Sequence, residues 1–144
     1  MKKNNNFINL KKKEPLFSII TVVLNNDKYL EKTIKSVIGQ KNKDFEYIII
    51  DGGSKDNSLQ IIKKYKNKIN YFISERDRGI YDAFNKGMSL ARGRFICIVN
   101  SDDILKKNAL NIIKKYIDQN SKIDFCFGSV KKHWGVLHGY RPEK

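Results

Sequence analysis

The sequence predicts an α/β domain with a mostly parallel sheet and helices on both of its faces. One supporting pattern is alternation, because apolar stretches with strand character alternate with stretches whose apolar residues recur every three or four positions. Alternating strands and helices form crossover units, and crossover units build parallel sheets. The second pattern is that the stretches IITVV, YIII and FICIV are almost wholly apolar, which indicates strands buried on both faces.

The elements follow in order after Pro15. The first strand is expected at 17–24 and the first helix at 27–40, where Asn26 or Asp27 can cap the first turn. Asp56 or Asn57 can cap the second helix. The remaining expected elements are strands at 45–51, 70–74, 94–100 and 124–130, and helices at 58–67, 79–93 (with Gly93 as its stop) and 108–120.

A chain of 144 residues has room for one domain with a real core. We expect residues 1–14, rich in Lys and Asn, to be a flexible basic tail and residues 15–144 to form the domain. No stretch has the apolar length of a membrane span and the N-terminus does not resemble a signal peptide, so we expect a cytoplasmic protein. Cys97 and Cys126 lie in apolar stretches outside any metal-binding motif, which favours reduced core residues over a disulfide.

The net charge of +14 suits nucleic acid, an anionic membrane face or phosphorylated substrates. No basic stretch is interleaved with the aromatic residues that a groove for single-stranded nucleic acid needs. We therefore expect no nucleic-acid partner. Peripheral association with the inner face of the cytoplasmic membrane is an alternative use of the lysines.

Polar residues follow the end of each of the first four expected strands, and parallel sheets bind ligands beyond these carboxyl ends. The motifs GxGxxG and GxxxxGK[ST] are absent, which excludes the dinucleotide fingerprint and the P-loop. The polar segments that close the strands are Asn25-Asn26, Asp51 to Ser54, Ser74 to Asp77 and Asn100 to Asp103.

Candidate ligand-binding groups lie in these segments and in the residues just after the third, and each has a plainer alternative. Asp51 can accept hydrogen bonds from a nucleobase or ribose, or only cap a turn between strand and helix. Arg76 and Arg78 can reach a diphosphate, or be ordinary exposed arginines. Asp82 and Asn85 lie three apart on one helix face, where they either face a nucleotide cleft or cap the first turns.

Asp102 and Asp103 are neighbours, so on a strand their side chains would point to opposite faces. They therefore do not suit the paired acids of a glycoside hydrolase, which stand about 5–9.5 Å apart across the scissile bond. At a strand end they suit Mg²⁺ or Mn²⁺, which take carboxylate oxygens together with substrate phosphates and water. The alternative is a helix cap and a solvated turn.

Four segments stand in a fixed order: SIITVVLNNDKYLEKTIKSVIGQ, FEYIIIDGGSKDNSLQII, ISERDRGIYDAFNKGMSLARGRFICIVNSDD and IDFCFG. Together they resemble the family 2 glycosyltransferases with the GT-A fold, over roughly residues 17–128. The resemblance implies a Rossmann-like domain that binds a nucleotide sugar. One departure is Asn100, which stands where many members carry a further aspartate.

The resemblance also implies the roles of individual residues. Those that it assigns to the nucleotide sugar are Thr21, Val22, Asn25, Asp51, Ser54, Arg78, Asp82 and Asp102, and those that it assigns to Mn²⁺ or Mg²⁺ are Asp102 and Asp103. The nucleotide is usually uridine in this family.

The implied reaction is inverting transfer of a sugar from a nucleoside diphosphate sugar, most often a UDP-sugar, to a hydroxyl of a saccharide or lipid-linked saccharide, in bacterial surface polysaccharide synthesis. Family members continue into an acceptor-binding region with an Asp or Glu base, and no such base is recognised here, since Asp124 begins an expected strand and Glu143 is terminal. We therefore expect a fold truncated before the acceptor-binding region. The alternative function is a nucleotide-sugar-binding module without transferase activity.

Overall fold

The fold is built around a sheet of four strands, all parallel. The computed structural model describes residues 14–120, 122–125, 130–132 and 135–137. The strands of the sheet are β1 (Phe17–Val23), β2 (Phe45–Asp51), β3 (Tyr71–Ser74) and β4 (Phe95–Ile98). Their order is β3-β2-β1-β4, and each neighbouring pair runs parallel.

Each of the four helices begins and ends within a stretch that the apolar spacing predicts. They are α1 (Asp27–Ile38), α2 (Ser58–Lys64), α3 (Ile80–Leu90) and α4 (Ala109–Gln119). The second helix is shorter than expected, because the chain tightens into a 3₁₀ turn at Lys66–Lys68. A short antiparallel pair, β5 (Val130–Lys132) and β6 (Gly135–Leu137), follows α4.

The strand expected at 124–130 is not found where the chain is described. Asp124 and Phe125 adopt no regular structure, and among the described residues after α4 the first in a strand is Val130. Residues 126–129, with Cys126, lie outside the described residues, as do residues 1–13 of the expected tail. Among the described helices, none combines the length and apolar character needed to cross a membrane.

Alternate residues of the central strands face opposite sides of the sheet. On one side, Ile19 and Ile49 pack in a cluster with apolar residues of α1, α2 and α4. On the other side, Ile20 and Ile50 pack with Ala83 of α3. The predicted fold class, a parallel sheet with helices on both faces, is therefore confirmed.

The strand β4 departs from the expectation of burial on both faces. Ile96 is 47% exposed and Ile98 is 49% exposed, whereas β1 is buried along its whole length. The reason is the position of α3, which packs over β1 and β2 and leaves the same face of β4 uncovered in the described part of the chain.

A buried carboxylate, that of Glu46, lies near the amino-terminal end of the sheet. Glu46 accepts hydrogen bonds from the Ser18 hydroxyl at 2.6 Å and from the Arg92 backbone N–H at 2.6 Å, and Arg92 also pairs with it through its guanidinium. Gly93 does not stop a helix there, because α3 already ends at Leu90. Gly93 instead allows the chain before β4 to pass close to the backbone of β1, since a Cβ on Gly93 would lie 2.5 Å from the Ser18 backbone nitrogen.

We predict that Gly87→Ala destabilises the protein by about 1–3 kcal/mol, the usual cost of overpacking a core. A Cβ on Gly87 would lie 2.6 Å from Ile20 Cγ2, on a fully buried and β-branched side chain with little freedom to move. This clash outweighs the gain of up to ~1 kcal/mol that alanine brings to a helix interior. Urea unfolding measures the change in the free energy of unfolding, with Asn85→Ala, at an exposed position of the same helix, as the control. A Gly87→Ala variant as stable as the parent would contradict the close contact.

Candidate functional site at the carboxyl edge

Polar residues from the four strand ends meet along one border of the sheet. Val23, Asp51 and Ser74 stand in one row across β1, β2 and β3, while β4 stops earlier with Ile98 opposite Ile20. Because β2 and β4 flank β1 on opposite sides, the sheet changes its direction of growth beside β1, and ligands of open parallel sheets bind at such a point. We call this border the carboxyl edge; it consists of the loops at residues 24–26, 52–57, 75–79 and 99–108.

The carboxylate of Asp51 lies at the centre of the carboxyl edge and is fully buried. It accepts hydrogen bonds from the Ser54 N–H at 3.2 and 3.3 Å and from the Ser74 hydroxyl at 2.6 Å. A buried carboxylate needs such donors, because leaving water without them is costly. Asp51 thereby joins the end of β2 to the end of β3 and to the turn that follows β2.

That turn depends on two glycines. Gly53 has φ +82°, a conformation that favours glycine. A Cβ on Gly52 would lie 2.9 Å from Asp77 Oδ2, and one on Gly53 would lie 3.2 Å from the Arg76 backbone nitrogen. The loop after β3 therefore packs directly on the turn after β2.

Asn25 connects β1 to the same turn. Its backbone N–H donates to Ser54 Oγ at 2.8 Å, and its side-chain oxygen accepts from the Lys55 N–H at 2.8 Å. Asn25 has φ +49°, which asparagine tolerates better than most residues. The predicted site residues Asn25, Asp51 and Ser54 are thus brought together.

Asp56 caps α2, one of the two residues expected to do so, and it also caps α1. The Asp56 carboxylate accepts from the Asp27 N–H at 2.9 Å and from the Ser58 N–H at 2.9 Å. The Asp27 carboxylate accepts from the Asn57 N–H at 3.2 Å. The expectation that Asn26 or Asp27 caps its own helix is therefore wrong, because neither side chain bonds to α1 and the acceptor comes from Asp56.

The loop that carries Asp102 and Asp103 is held by polar residues of α1 and by polar residues just before and after it. The Thr33 hydroxyl contacts the carbonyl oxygens of Ser101 at 2.9 Å and Asp103 at 2.8 Å. Further along the same helix side, the Ser36 hydroxyl accepts from the Leu105 N–H at 3.0 Å. Beyond it, the Gln40 amide donates to the Lys106 carbonyl at 2.9 Å, and the Asn26 amide donates to Ser101 Oγ at 2.8 Å.

Sequence reasoning missed these polar residues. Thr33, beside the apolar stripe of α1, and Gln40, two residues after the helix ends, are both buried although they are polar. The spacing of Thr33 and Ser36 was the available signal, since it places two polar side chains on one side of α1.

Asp102 and Asp103 are both exposed in the loop that follows β4, the strand that pairs with β1. Asp103 Oδ2 accepts from the Asn100 amide at 3.2 Å, and within the described chain the Asp102 carboxylate has no hydrogen-bond or ion-pair partner. They do not cap a helix, because α4 begins six residues later at Ala109.

The carboxylates of Asp102 and Asp103 fit one kind of divalent-cation site. No group of three or more His, Cys, Asp or Glu side chains that could enclose a metal occurs in the part of the chain described. Two exposed neighbouring carboxylates instead suit Mg²⁺ or Mn²⁺ whose remaining positions are filled by substrate phosphates and water. Asp102 and Asp103 therefore fit a metal that arrives with its ligand rather than an all-protein cage.

The loop after β3 presents Arg76 and Arg78, both exposed. The Asp82 carboxylate accepts from the Arg78 N–H at 3.1 Å, which holds the pKa of Asp82 below its ordinary value. Lys86 forms ion pairs with Glu75, Asp77 and Asp82. Sequence reasoning also missed Lys86, which was one lysine among many.

Two predicted site residues lie inside the sheet rather than on its border. The buried Thr21 hydroxyl donates to the Val99 carbonyl at 2.8 Å and contacts the Tyr47 hydroxyl at 3.0 Å. Val22 packs in the cluster beneath α3. Thr21 therefore ties β1 to the segment that leaves β4, and the exposed members of the predicted site are Asn25, Arg78, Asp102 and Asp103.

The parallel sheet and its polar carboxyl edge define an α/β domain of the class that binds ligands beyond its strand ends. Residues 18–144 match the family described as Glycosyl transferase family 2. The chain belongs to this family, as its sequence resemblance implies.

Known relatives support the assignment. The chain is 34% identical over 139 residues to an uncharacterized glycosyltransferase of Methanocaldococcus jannaschii, covering 91% of this chain and 48% of the relative. It is 32% identical over 117 residues to glycosyltransferase GlyG of Streptococcus pneumoniae, covering 79% of this chain and 38% of the relative. The chain thus spans less than half the length of these relatives.

A solved structure has the same fold. Residues 1–349 of TarS from S. aureus, in complex with UDP-GlcNAc, superpose with a TM-score of 0.67 and 31% identity, covering 73% of this chain and 32% of that chain. TarS is described as a poly(ribitol-phosphate) beta-N-acetylglucosaminyltransferase. This match confirms the GT-A fold expected from the sequence.

We predict that Asp56→Asn destabilises the protein by about 1 kcal/mol near neutral pH, as the loss of a helix cap does. Asparagine keeps one acceptor oxygen, whereas Asp56 uses both of its oxygens. Burial alone would raise the pKa of Asp56, but hydrogen bonds from Ser58 and the Asp27 N–H outweigh it and lower the pKa.

A group whose pKa is lowered on folding stabilises the protein above its unfolded pKa and loses that contribution as the pH falls through the folded value. The difference between parent and Asp56→Asn should therefore shrink in acid. Urea unfolding at about pH 7 and about pH 3 measures it, with the exposed Asp118→Asn as control. An equal difference at both pH values would argue against the capping role.

Proposed function

We propose that the chain is the donor-binding part of an inverting, metal-dependent glycosyltransferase that uses a nucleoside diphosphate sugar, with UDP as the nucleotide. The observation that carries this proposal is that two exposed arginines and two exposed aspartates lie on the same border of the sheet, where parallel sheets bind ligands. The relative TarS, at 31% identity, binds UDP-GlcNAc with the same fold.

The nucleoside is assigned to the turn after β2. Asn25 and Ser54 stand beside this turn, and its glycines let a ligand approach the backbone closely. Three predicted site residues act without touching the ligand, because their side chains are buried and fix the strand ends around the site: Asp51, Thr21 and Val22. Asp51 then acts on the nucleotide through the turn that it holds.

The diphosphate is assigned to Arg78, Asp102 and Asp103. A guanidinium matches phosphate oxygens with two parallel hydrogen bonds, so Arg78, with Arg76 beside it, suits the charge that develops on the departing diphosphate. Asp102 and Asp103 would hold Mg²⁺ or Mn²⁺, which acts as a Lewis acid toward phosphate oxygens when bound. Asp82 keeps Arg78 in place through its backbone N–H.

No residue is assigned as the base that deprotonates the acceptor hydroxyl. Asp51 is buried, Asp82 pairs with Lys86, and the two aspartates after β4 are assigned to the metal. Transfer to a saccharide or lipid-linked saccharide is therefore proposed for the whole protein, in the synthesis of a bacterial surface polysaccharide at the inner face of the cytoplasmic membrane.

A nucleotide-sugar-binding module without transferase activity is the second candidate. It is favoured because each carboxylate at the described carboxyl edge already has a role other than that of a base. A transfer assay with UDP-GlcNAc and a saccharide acceptor distinguishes the two candidates, since only an enzyme releases UDP in proportion to acceptor.

We predict that Asp102→Asn/Asp103→Asn abolishes the manganese-dependent part of UDP affinity, about tenfold or more, which corresponds to 1.4 kcal/mol or more. Asparagine keeps the size of each side chain and removes the charge that attracts a divalent cation. Calorimetry with UDP, with and without Mn²⁺, measures this part of the affinity, and Asp118→Asn on α4 is the control. Unchanged manganese dependence in the double variant would remove the metal assignment.

We predict that Arg78→Met weakens UDP binding by about 10- to 150-fold and leaves uridine binding unchanged, since a hydrogen bond to a charged group contributes about 1.5–3 kcal/mol. Uridine lacks the phosphates that Arg78 is proposed to contact. The matched control is Arg94→Met, because Arg94 is an exposed arginine next to the amino end of β4. Equal losses for UDP and uridine would show that Arg78 acts on the nucleoside or on the fold instead.

A further inference from the structure

Lys86 is the centre of an ion-pair cluster beside the proposed donor site. Its ammonium lies 2.5 Å from Asp77 Oδ1, 2.7 Å from Glu75 Oε1 and 3.5 Å from Asp82 Oδ2. The Lys86 side chain is 22% exposed and that of Asp77 is 9% exposed. Because the pair with Asp77 is largely shielded from water, the attraction between its two charges is screened less than that of a surface ion pair.

The cluster fastens a loop to a helix. Glu75 and Asp77 belong to the loop at 75–79, and Lys86 lies on the second turn of α3. Asp77 Oδ2 also lies against Gly52, where a Cβ would approach it to 2.9 Å. Lys86 therefore holds the loop at 75–79 against the turn after β2, and Asp77 is the residue of the loop that contacts this turn.

Arg76 and Arg78 stand on either side of Asp77 and are both exposed. Their guanidinium groups can meet a diphosphate only while the loop keeps this position. Without the lysine, three carboxylates would face one another, and like charges in contact repel. The loop would then lift from the turn after β2 and carry both arginines with it.

We propose that Lys86 is a positioning residue that holds the loop at 75–79, and thus Arg76 and Arg78, ready for the diphosphate of the donor. Lys86 acts through Asp77 and Glu75 and does not itself touch the nucleotide. This inference rests on the proposed function, because the value of a fixed loop is the binding of a nucleoside diphosphate.

The first arm of the experiment needs no ligand. An arginine-specific protease cleaves after Arg76 and Arg78, and mass spectrometry measures each cleavage separately, with Arg94 as internal reference. We expect faster cleavage at Arg76 and Arg78 in Lys86→Met than in the parent, and near-parent rates in Lys86→Arg. The matched control is Lys114→Met, which breaks an exposed ion pair with Asp118 on α4.

The second arm measures UDP and uridine binding by calorimetry with Mn²⁺ present. We expect Lys86→Met to weaken UDP binding about tenfold, as for a loop that is in place about one-tenth of the time, and to leave uridine binding unchanged. Lys86→Arg should restore most of the loss, which a change in overall stability alone would not produce. If Lys86→Met does not fold, Asp77→Asn removes the shortest contact and takes its place.

The outcomes separate cleanly. Parent cleavage rates in Lys86→Met, or faster cleavage with unchanged UDP affinity, overturn the positioning role of Lys86. A parent protein that binds no UDP overturns the proposed function and with it the donor role of Lys86. In that case the cleavage rates still show by themselves whether Lys86 holds the loop.

Discussion

The carboxyl edge depends on the requirement that the buried carboxylate of Asp51 be satisfied. A carboxylate removed from water must find hydrogen-bond donors, and the donors available here are the Ser54 N–H and the Ser74 hydroxyl. Meeting that requirement fixes the turn after β2 and the end of β3. Ser54 in turn accepts from Asn25, so the end of β1 is set by the same chain of contacts. The geometry of three strand ends thus follows from one buried charge.

In the remaining loops, buried groups hold the backbone and exposed groups are the ones proposed to meet the ligand. The exposed groups proposed to meet the ligand, Arg78 and Asp102, make few side-chain contacts of their own and are placed by others. Thr33 of α1, fully buried, holds the backbone on both sides of Asp102. The same helix packs its apolar side on the sheet. One helix therefore both completes the core and aims the loop after β4, so packing and site geometry are linked.

Local sequence patterns predicted the fold because periodicity and strand composition are local properties. They also identified the carboxyl edge, since the position of Asp51 or Asp102 relative to a strand end is readable from the chain. Hydrogen-bond partners were not readable: Thr33 and Ser101 are separated by 68 residues, and nothing near either predicts the other. The exposure of Ile98 was equally hidden, because it depends on where α3 lies across the sheet. Gly93 was misread for a similar reason, since its constraint comes from Ser18 on another strand.

The reciprocal contacts of Asp27 and Asp56 have a consequence for protein engineering. Asp56 of the second strand–helix unit accepts from the first N–H of α1, and Asp27 of the first unit accepts from the Asn57 N–H before α2, so the first two units are not interchangeable modules. A chimaera that exchanges the first unit for that of another family member would remove the Asp27 carboxylate and leave the Asn57 N–H without this acceptor, unless the incoming sequence carries an aspartate at the same position. Recombination between family members should therefore succeed more often at a junction after α2 than at one between α1 and β2.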